Sequence, residues 1–206
     1  MMLNQQGFDL WADNYDKTVQ VSEQNNEYPF AGYKEILNRI YNEVMQKENA
    51  SVLDIGLGTG VLASRLYENG HSIDGIDFSK KMLRISQEKM PKANLYQWDI
   101  AEGAPPEISQ KKFDFIASTY TLHHLDDKEK VSFIKKVRPL LKEDGKILIG
   151  DIAFGTREQL EECRQENIHQ WDDDEYYFVA DEFKVGVRGK FHKFSHCGGI
   201  FEIEKK

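Results

Sequence analysis

The chain has 206 residues, 40% hydrophobic and 30% charged, with 27 Lys and Arg against 35 Asp and Glu for a formal net charge of -8. At roughly 100 to 200 residues per domain, this length holds one full domain with an appendage, and the ordinary apolar share excludes wholesale disorder. The negative balance argues against a nucleic-acid backbone as the main partner, and no apolar run approaches the ~18 residues of a membrane span. Two cysteines without CxxC spacing indicate a reducing cytoplasm rather than a disulfide framework. The opening MMLNQQGFDLW has neither a basic region nor a long apolar segment, so an export signal or anchor is not expected.

Two helical stripes come first in chain order: Phe8, Trp11, Ala12 and Tyr15, then Phe30, Tyr33, Leu37, Ile40 and Val44. The polar stretch between them ends at Pro29 and reads as a hinge. Residues 1–49 are therefore expected to form a helical lid, and residues 50–206 the core. From Ser51 the pattern changes to short apolar runs, SVLDI, HSIDGID, NLYQWDI, KFDFIAS and KILIGDIA, alternating with helical stretches. The helices are expected at Val61 to Asn69, Ser79 to Lys89 with Ser79 as N-cap, and Lys128 to Leu141, the last closed by Glu143-Asp144-Gly145. This is an α/β pattern that builds a doubly wound parallel sheet. After Phe154 come a helix, TREQLEECRQENIHQW, and an acidic run from Asp172 to Glu175 that reads as a solvated face. Two alternating segments, GKFHKFSH and GIFEIEK, follow, joined by Cys197-Gly198-Gly199 in an expected hairpin.

The chemistry-bearing segment is VLDIGLGTGVLASRL, where a buried strand runs into Gly56, Gly58 and Gly60 and then a helix. Glycines there let the backbone turn sharply and let a ligand approach a helix N-terminus. One frame, Gly58 to Ala63, fits the dinucleotide pattern GxGxxA, which also suits an NAD-type oxidoreductase. Three acids sit at predicted strand ends, where ligands of open α/β sheets bind: Asp54, Asp77 about twenty residues after the glycines, and Asp99 after the third strand. Singly, each would equally serve as a loop or helix cap. No GxxxxGK[ST] sequence is present for a phosphate cradle.

From Ser51 to Ala153 the chain resembles the class I S-adenosylmethionine-dependent methyltransferases. It matches VLDIGLGTG, GIDFSKKML, WDI, FDFIASTYTLHHL and LKEDGKILIGD in order, and FDLWADNYD is similar to the FxxxAxxYD lid segment of small bacterial members. The resemblance implies a Rossmann-like seven-stranded sheet of order 3-2-1-4-5-7-6 with the last strand antiparallel. It implies that Asp54 and the backbone of Gly56, Gly58 and Gly60 hold the methionine part of S-adenosylmethionine, and that Asp77 takes the ribose hydroxyls. Phe78 and Ile100 would sandwich the adenine, Asp99 would bond its amino group, Ser118 and Thr119 would line the methionine side, and Tyr15 would cover the sulfonium. Leu57 departs from the family pattern, where a small residue is common.

Methyl transfer from a sulfonium is an in-line displacement that needs alignment and water exclusion rather than a metal, so no metal ligand is assigned. His123 and His124 are the candidate bases, with Tyr120 and Asp151 behind them. His192, His196 and Cys197 offer too few ligands for zinc. The basic residues from Lys184 to Lys206 are read as balancing the acidic segment Glu158 to Glu182. The expected acceptor is a small molecule enclosed by the lid, the loop Tyr120 to His124 and the segment Phe154 to Val187. The same motifs would also suit an enzyme acting on tRNA or protein, or a non-catalytic binder of the cofactor.

Overall fold

The computed structural model describes residues 26–183 and 189–205. Strand β1 (Ser51–Ile55) is buried from Val52 onward, which is why SVLDI is an apolar run interrupted only by Asp54. It pairs in parallel with β2 (Ser72–Asp77) on one side and β4 (Phe113–Thr119) on the other. Strand β3 (Asn94–Gln97) lies beyond β2, and β5 (Leu141–Phe154) lies beyond β4. The edge is completed by β8 (Gly198–Glu204), antiparallel to β5, and β7 (Gly189–Lys193), antiparallel to β8. The order is β3-β2-β1-β4-β5-β8-β7, with the two-residue β6 (Phe178–Val179) paired to β5. This is the expected topology, renumbered by one strand too short to show alternation.

Among the described residues, five helices cover the sheet: α1 (Tyr33–Val44), α2 (Val61–Glu68), α3 (Lys80–Lys89), α4 (Asp127–Val137) and α5 (Arg157–Glu166). Ser79 caps α3 by accepting from the Met82 amide, and Thr156 caps α5 in the same way. Asp126 and Glu129 form a reciprocal capping box at the start of α4. Helix α1 buries Ile36, Leu37, Ile40 and Val44, and Gly150 of β5 makes this approach possible. A Cβ at Gly150 would stand 2.4 Å from Ile36 Cγ2.

Three expected boundaries are displaced. Helix α4 stops at Val137 instead of Leu141, because Pro139 supplies no amide and Arg138–Leu140 tightens into a single 3-10 turn. Glu143-Asp144-Gly145 then lies inside β5, at the irregularity where the register passes from Phe113↔Leu141 to Phe115↔Lys146. The hairpin turn is made by Phe194 to Cys197, with the Phe194 and Ser195 amides both donating to Gly198 O. Gly198 and Gly199 belong to β8, where a Cβ on Gly199 would meet the Phe191 ring at 2.4 Å. The first helical stripe, Phe8 to Tyr15, lies outside the described residues, as do Lys184, Arg188 and Lys206. Of the remaining basic residues near the C-terminus, Lys205 pairs with Glu143 and Lys193 donates to Gln159.

At the end of the central strands opposite the glycine turn, Asp114 ties β1 to β4. Its carboxylate accepts from the Ser51 amide and hydroxyl, each at 2.8 Å, and pairs with Lys142 at 2.7 Å and Lys47 at 2.5 Å. Burial opposes its charge, yet Lys142, Lys47 and Ser51 outweigh it and hold the carboxyl well below the usual range. A lowered folded-state pKa adds stability above the unfolded value of about 4, and that stability is lost as pH falls through the folded value. Asp114→Ala should destabilise the fold by about 1–3 kcal/mol at neutral pH. In urea melts, the difference from the parent protein should shrink as the pH is taken below about 4.

Candidate active site

The site begins with the turn that β1 makes at its C-terminal end. Gly56, Gly58 and Gly60 all have positive φ, 68°, 55° and 75°, a conformation that ordinary residues adopt only at a cost. Each glycine faces a different neighbour. A Cβ on Gly56 would lie 2.1 Å from Thr121 Oγ1, and one on Gly60 would lie 2.9 Å from Ser86 Oγ. A Cβ on Gly58 would meet none of the described residues within 4 Å.

Neighbouring elements hold the turn. Asp77, at the end of β2, accepts from the Gly58 amide at 2.9 Å with one oxygen and from the Ser79 amide at 2.8 Å with the other. From α3, the Ser86 hydroxyl donates to Gly58 O and the Lys89 ammonium to Thr59 O, both at 2.8 Å. Leu57 is buried against β2, and Gly75 is what admits it: a Cβ there would lie 2.8 Å from Leu57 Cδ1. The bulk of Leu57 is thus matched by a glycine across the strand.

Asp54 lies under this turn, 2% exposed, and its Oδ1 has no hydrogen-bond partner among the described residues. Burial first, and the charge of Asp77 second, push its carboxyl up to about 7. A narrow cleft opens beside it, walled by Tyr33 and Leu37 of α1, the glycine turn and Thr119. A buried carboxylate with an uncommitted oxygen in a cleft is suited to a cationic ligand.

Along the strand ends, Phe78 is half-buried after β2, and the Trp98 amide after β3 donates to Asp77 O at 3.0 Å. Asp99 is exposed and accepts from the Ala101 amide at 2.9 Å, capping the short turn Ile100–Glu102, in which Ile100 is half-buried. Ser118 is buried and its hydroxyl donates to Ile55 O at 3.2 Å, whereas Thr119 reaches the cleft. Tyr15 lies outside the described residues.

The segment after β4 turns sharply at Tyr120, which has φ 49° and packs its ring on Phe30 and Tyr33. This turn delivers His123 and His124. His123 Nδ1 lies 2.6 Å from Asp151 Oδ1 on β5, while its Nε2 faces Glu175 Oε1 at 3.6 Å. His124 Nδ1 is 4.0 Å from the same Glu175 oxygen, and the two rings are 4.2 Å apart. Burial opposes charge on His123, but Asp151 and Glu175 outweigh it and raise its pKa. Burial first, and the charge of His123 second, push His124 down to about 3. The second imidazole therefore stays neutral at physiological pH, while the first favours its protonated form more than a free imidazole does.

Sequence spacing misses several of these residues. Glu175 belongs to an acidic run, yet it turns inward and accepts from the Tyr177 hydroxyl at 2.8 Å, while Asp173 and Asp174 stay exposed. Thr121 falls within a matched motif and Tyr33 within a helical stripe, but spacing assigns neither a role in the site, and Ser86 has no motif. Only the tertiary contacts of Gly56, Gly60 and Asp54 reveal them. His192 and His196 do not converge with Cys197; His192 lies instead 3.8 Å from Glu202.

Glycine turn, acid after β2 and acidic floor, with no phosphate cradle, define a Rossmann-like fold for a nucleoside ligand that carries positive charge. The methyltransferase domain family matches residues 52–145. An uncharacterized methyltransferase of Geobacillus sp. (strain WCH70) is 37% identical over 182 residues, covering 84% of this chain and 82% of the relative. One from Bacillus cytotoxicus is 36% identical over 212 residues, covering 97% and 96%. The fold is shared with the magnesium protoporphyrin IX methyltransferase of Synechocystis PCC 6803 with bound SAH, at a TM-score of 0.66 and 18% identity over 85% of this chain and 84% of that one. The chain belongs to the class I S-adenosylmethionine-dependent methyltransferases. Its methyl donor is S-adenosylmethionine, and the NAD-type and non-catalytic readings fall away. The residues fit that cofactor: its ammonium and sulfonium carry the charge that Asp54 lacks.

Two contrasts follow from the turn. Gly56→Ala should damage folding, because its Cβ would collide with Thr121, whereas Gly58→Ala should fold with a loss of about 1–2 kcal/mol from left-handed strain. Thermal melts separate the two. Asp54→Asn removes a buried charge whose raised pKa costs stability as pH rises from about 4 to about 7. The ligand-free variant should melt higher than the parent at pH 8, yet bind S-adenosylmethionine about 1.5–3 kcal/mol more weakly in calorimetry.

Proposed function

We propose that the chain transfers a methyl group from S-adenosylmethionine to a small-molecule acceptor bound beside His123 and His124. The observation that carries the reading is the buried, uncompensated Asp54 at the floor of the cleft, which suits the cofactor ammonium. In this proposal the backbone of Gly56, Gly58 and Gly60 lies along the methionine part, with Ser118 and Thr119 on its side. Asp77 takes the ribose hydroxyls, since each carboxylate oxygen can accept twice and the backbone bonds persist. Phe78 and Ile100 enclose the adenine and Asp99 accepts from its amine. Tyr15 covers the sulfonium, an assignment that rests on family resemblance alone.

On the acceptor side, Asp151 fixes His123, and His123 with Glu175 sets the position of His124. His124, neutral through the physiological range, is the group that accepts from the acceptor and aligns it. His123 is committed to Asp151 through Nδ1 and serves to position its neighbour. The acceptor atom attacks the methyl carbon in line as the carbon–sulfur bond breaks, and any proton it carries passes to the polar cluster or to solvent. Short loops of this one chain surround the cleft, which supports a small acceptor over RNA or protein. The lid over 1–49 belongs to the same proposal, with α1 as its fixed wall, and so does a cytoplasmic location. No described helix is long and apolar enough to cross a membrane.

Asp77→Ala should weaken cofactor binding by about 1.5–3 kcal/mol in calorimetry. With an acceptor found by screening, His124→Ala should lower kcat about tenfold to a hundredfold while cofactor affinity is kept. Turnover that holds up between low and high salt supports the small acceptor. A steep loss with salt would transfer the reading to RNA.

A further inference from the structure

We propose that His123, His124 and Glu175 form a binding site for one divalent transition-metal ion of the zinc class. The three residues come from two separate segments, the turn after β4 and the stretch before β6, yet their ligand atoms all lie within 4.8 Å of one another. His123 Nε2 and His124 Nδ1 face the same Glu175 oxygen at 3.6 and 4.0 Å. Metal–ligand bonds of about 2.0–2.2 Å in a tetrahedral site place neighbouring ligands about 3.4 Å apart. Of the three edges, one is therefore already formed, the second needs closure by about half an ångström, and the third, between the two imidazoles within 4.8 Å, needs a further closing rotation of His124.

The surroundings are those of a metal site. Asp151 is fully buried on β5 and engages His123 Nδ1 at 2.6 Å, which orients the ring and directs Nε2 toward Glu175. Its second oxygen accepts from the Leu122 amide at 3.1 Å, so the carboxylate cannot swing away. Glu175 is held on its other oxygen by the Tyr177 hydroxyl at 2.8 Å, leaving Oε1 for the histidines. Lys130 approaches from behind, but its ammonium is taken by Tyr176 O and by Asp127. Two imidazoles and one carboxylate select a borderline metal over magnesium or calcium, which take all-oxygen sets. Three protein ligands leave a fourth position for water or for a heteroatom of the acceptor. A bound ion would lower the proton affinity of an acceptor hydroxyl or thiol. Ion binding rests on this geometry alone, and only its catalytic consequence rests on the methyl-transfer reading.

The test uses the chelator-stripped full chain. Zn2+ titration in a calorimeter, with metal analysis after dialysis, should give one ion per chain and a higher melting temperature, and Mg2+ should give neither. His124→Ala and Glu175→Gln should each weaken Zn2+ binding at least tenfold, and Asp151→Asn about ten- to a hundredfold. S-adenosylmethionine binding, measured on the same samples, should be kept and so report the fold. The surface pair His192→Ala/His196→Ala should bind Zn2+ like the parent. The proposal is overturned if the folded parent takes up no stoichiometric zinc, if His124→Ala and Glu175→Gln leave uptake unchanged, or if the surface pair abolishes it. Loss of cofactor binding with zinc uptake intact would instead sink the methyl-transfer reading.

Discussion

One carboxylate, Asp77, fixes the geometry on which the cleft depends. One of its oxygens holds the Gly58 amide at the end of β1, and the other holds the Ser79 amide where α3 begins. The same residue therefore locks the glycine turn, ends β2 and positions the helix whose Ser86 and Lys89 return to the turn as donors. Every backbone group of a tight left-handed turn needs a partner when it is shielded from water. Here the partners arrive from β2 and α3, so the turn is rigid before any ligand enters. The capping role and the binding role of Asp77 are compatible, since each carboxylate oxygen accepts twice.

Rigidity around the cleft contrasts with the electrostatic penalty at its floor. Asp54 is buried beside the negative charge of Asp77, and the described residues leave one of its oxygens without a donor. A protein selected for stability alone would place an amide or an apolar residue there. At the opposite end of the same central strands, Asp114 is as deeply buried but has two lysines and Ser51 around it. The two carboxylates are alike in burial and differ in their partners, and that difference is what supports a ligand-binding role for Asp54 in the proposed assignment.

Much of this was legible in the chain because it is local. A strand, a glycine turn and a helix within fifteen residues, or Ser79 before α3, involve neighbours in sequence, and their spacing carries the information. What was not legible depends on distant contacts. Gly198 and Gly199 look like a turn and are strand, because Ala31, Ile36 and Phe191 leave no room for a side chain. The stripe Leu37, Ile40 and Val44 announces a face to bury without saying that Gly150 receives it. Glu175 sits in an acidic run and is indistinguishable there from a solvated residue, until the fold brings it to His123, some fifty residues earlier.

On the proposed assignment, the placement of charge also bears on rate. Asp54 meets the cofactor ammonium and Asp77 its ribose, two groups that do not change during methyl transfer. Binding energy gained there is the same for reactant and transition state and serves to hold and orient the donor. The sulfonium loses its charge as the methyl leaves. A carboxylate set directly against it would stabilise the reactant cation more than the transition state, in which that charge is passing to the acceptor. Apart from Asp54, the described residues that line the cleft include Tyr33, Thr59 and Thr119 and no second acid. The acids anchor the ends of the donor, and the reacting centre is left to hydroxyls and aromatic rings that favour neither charge state strongly.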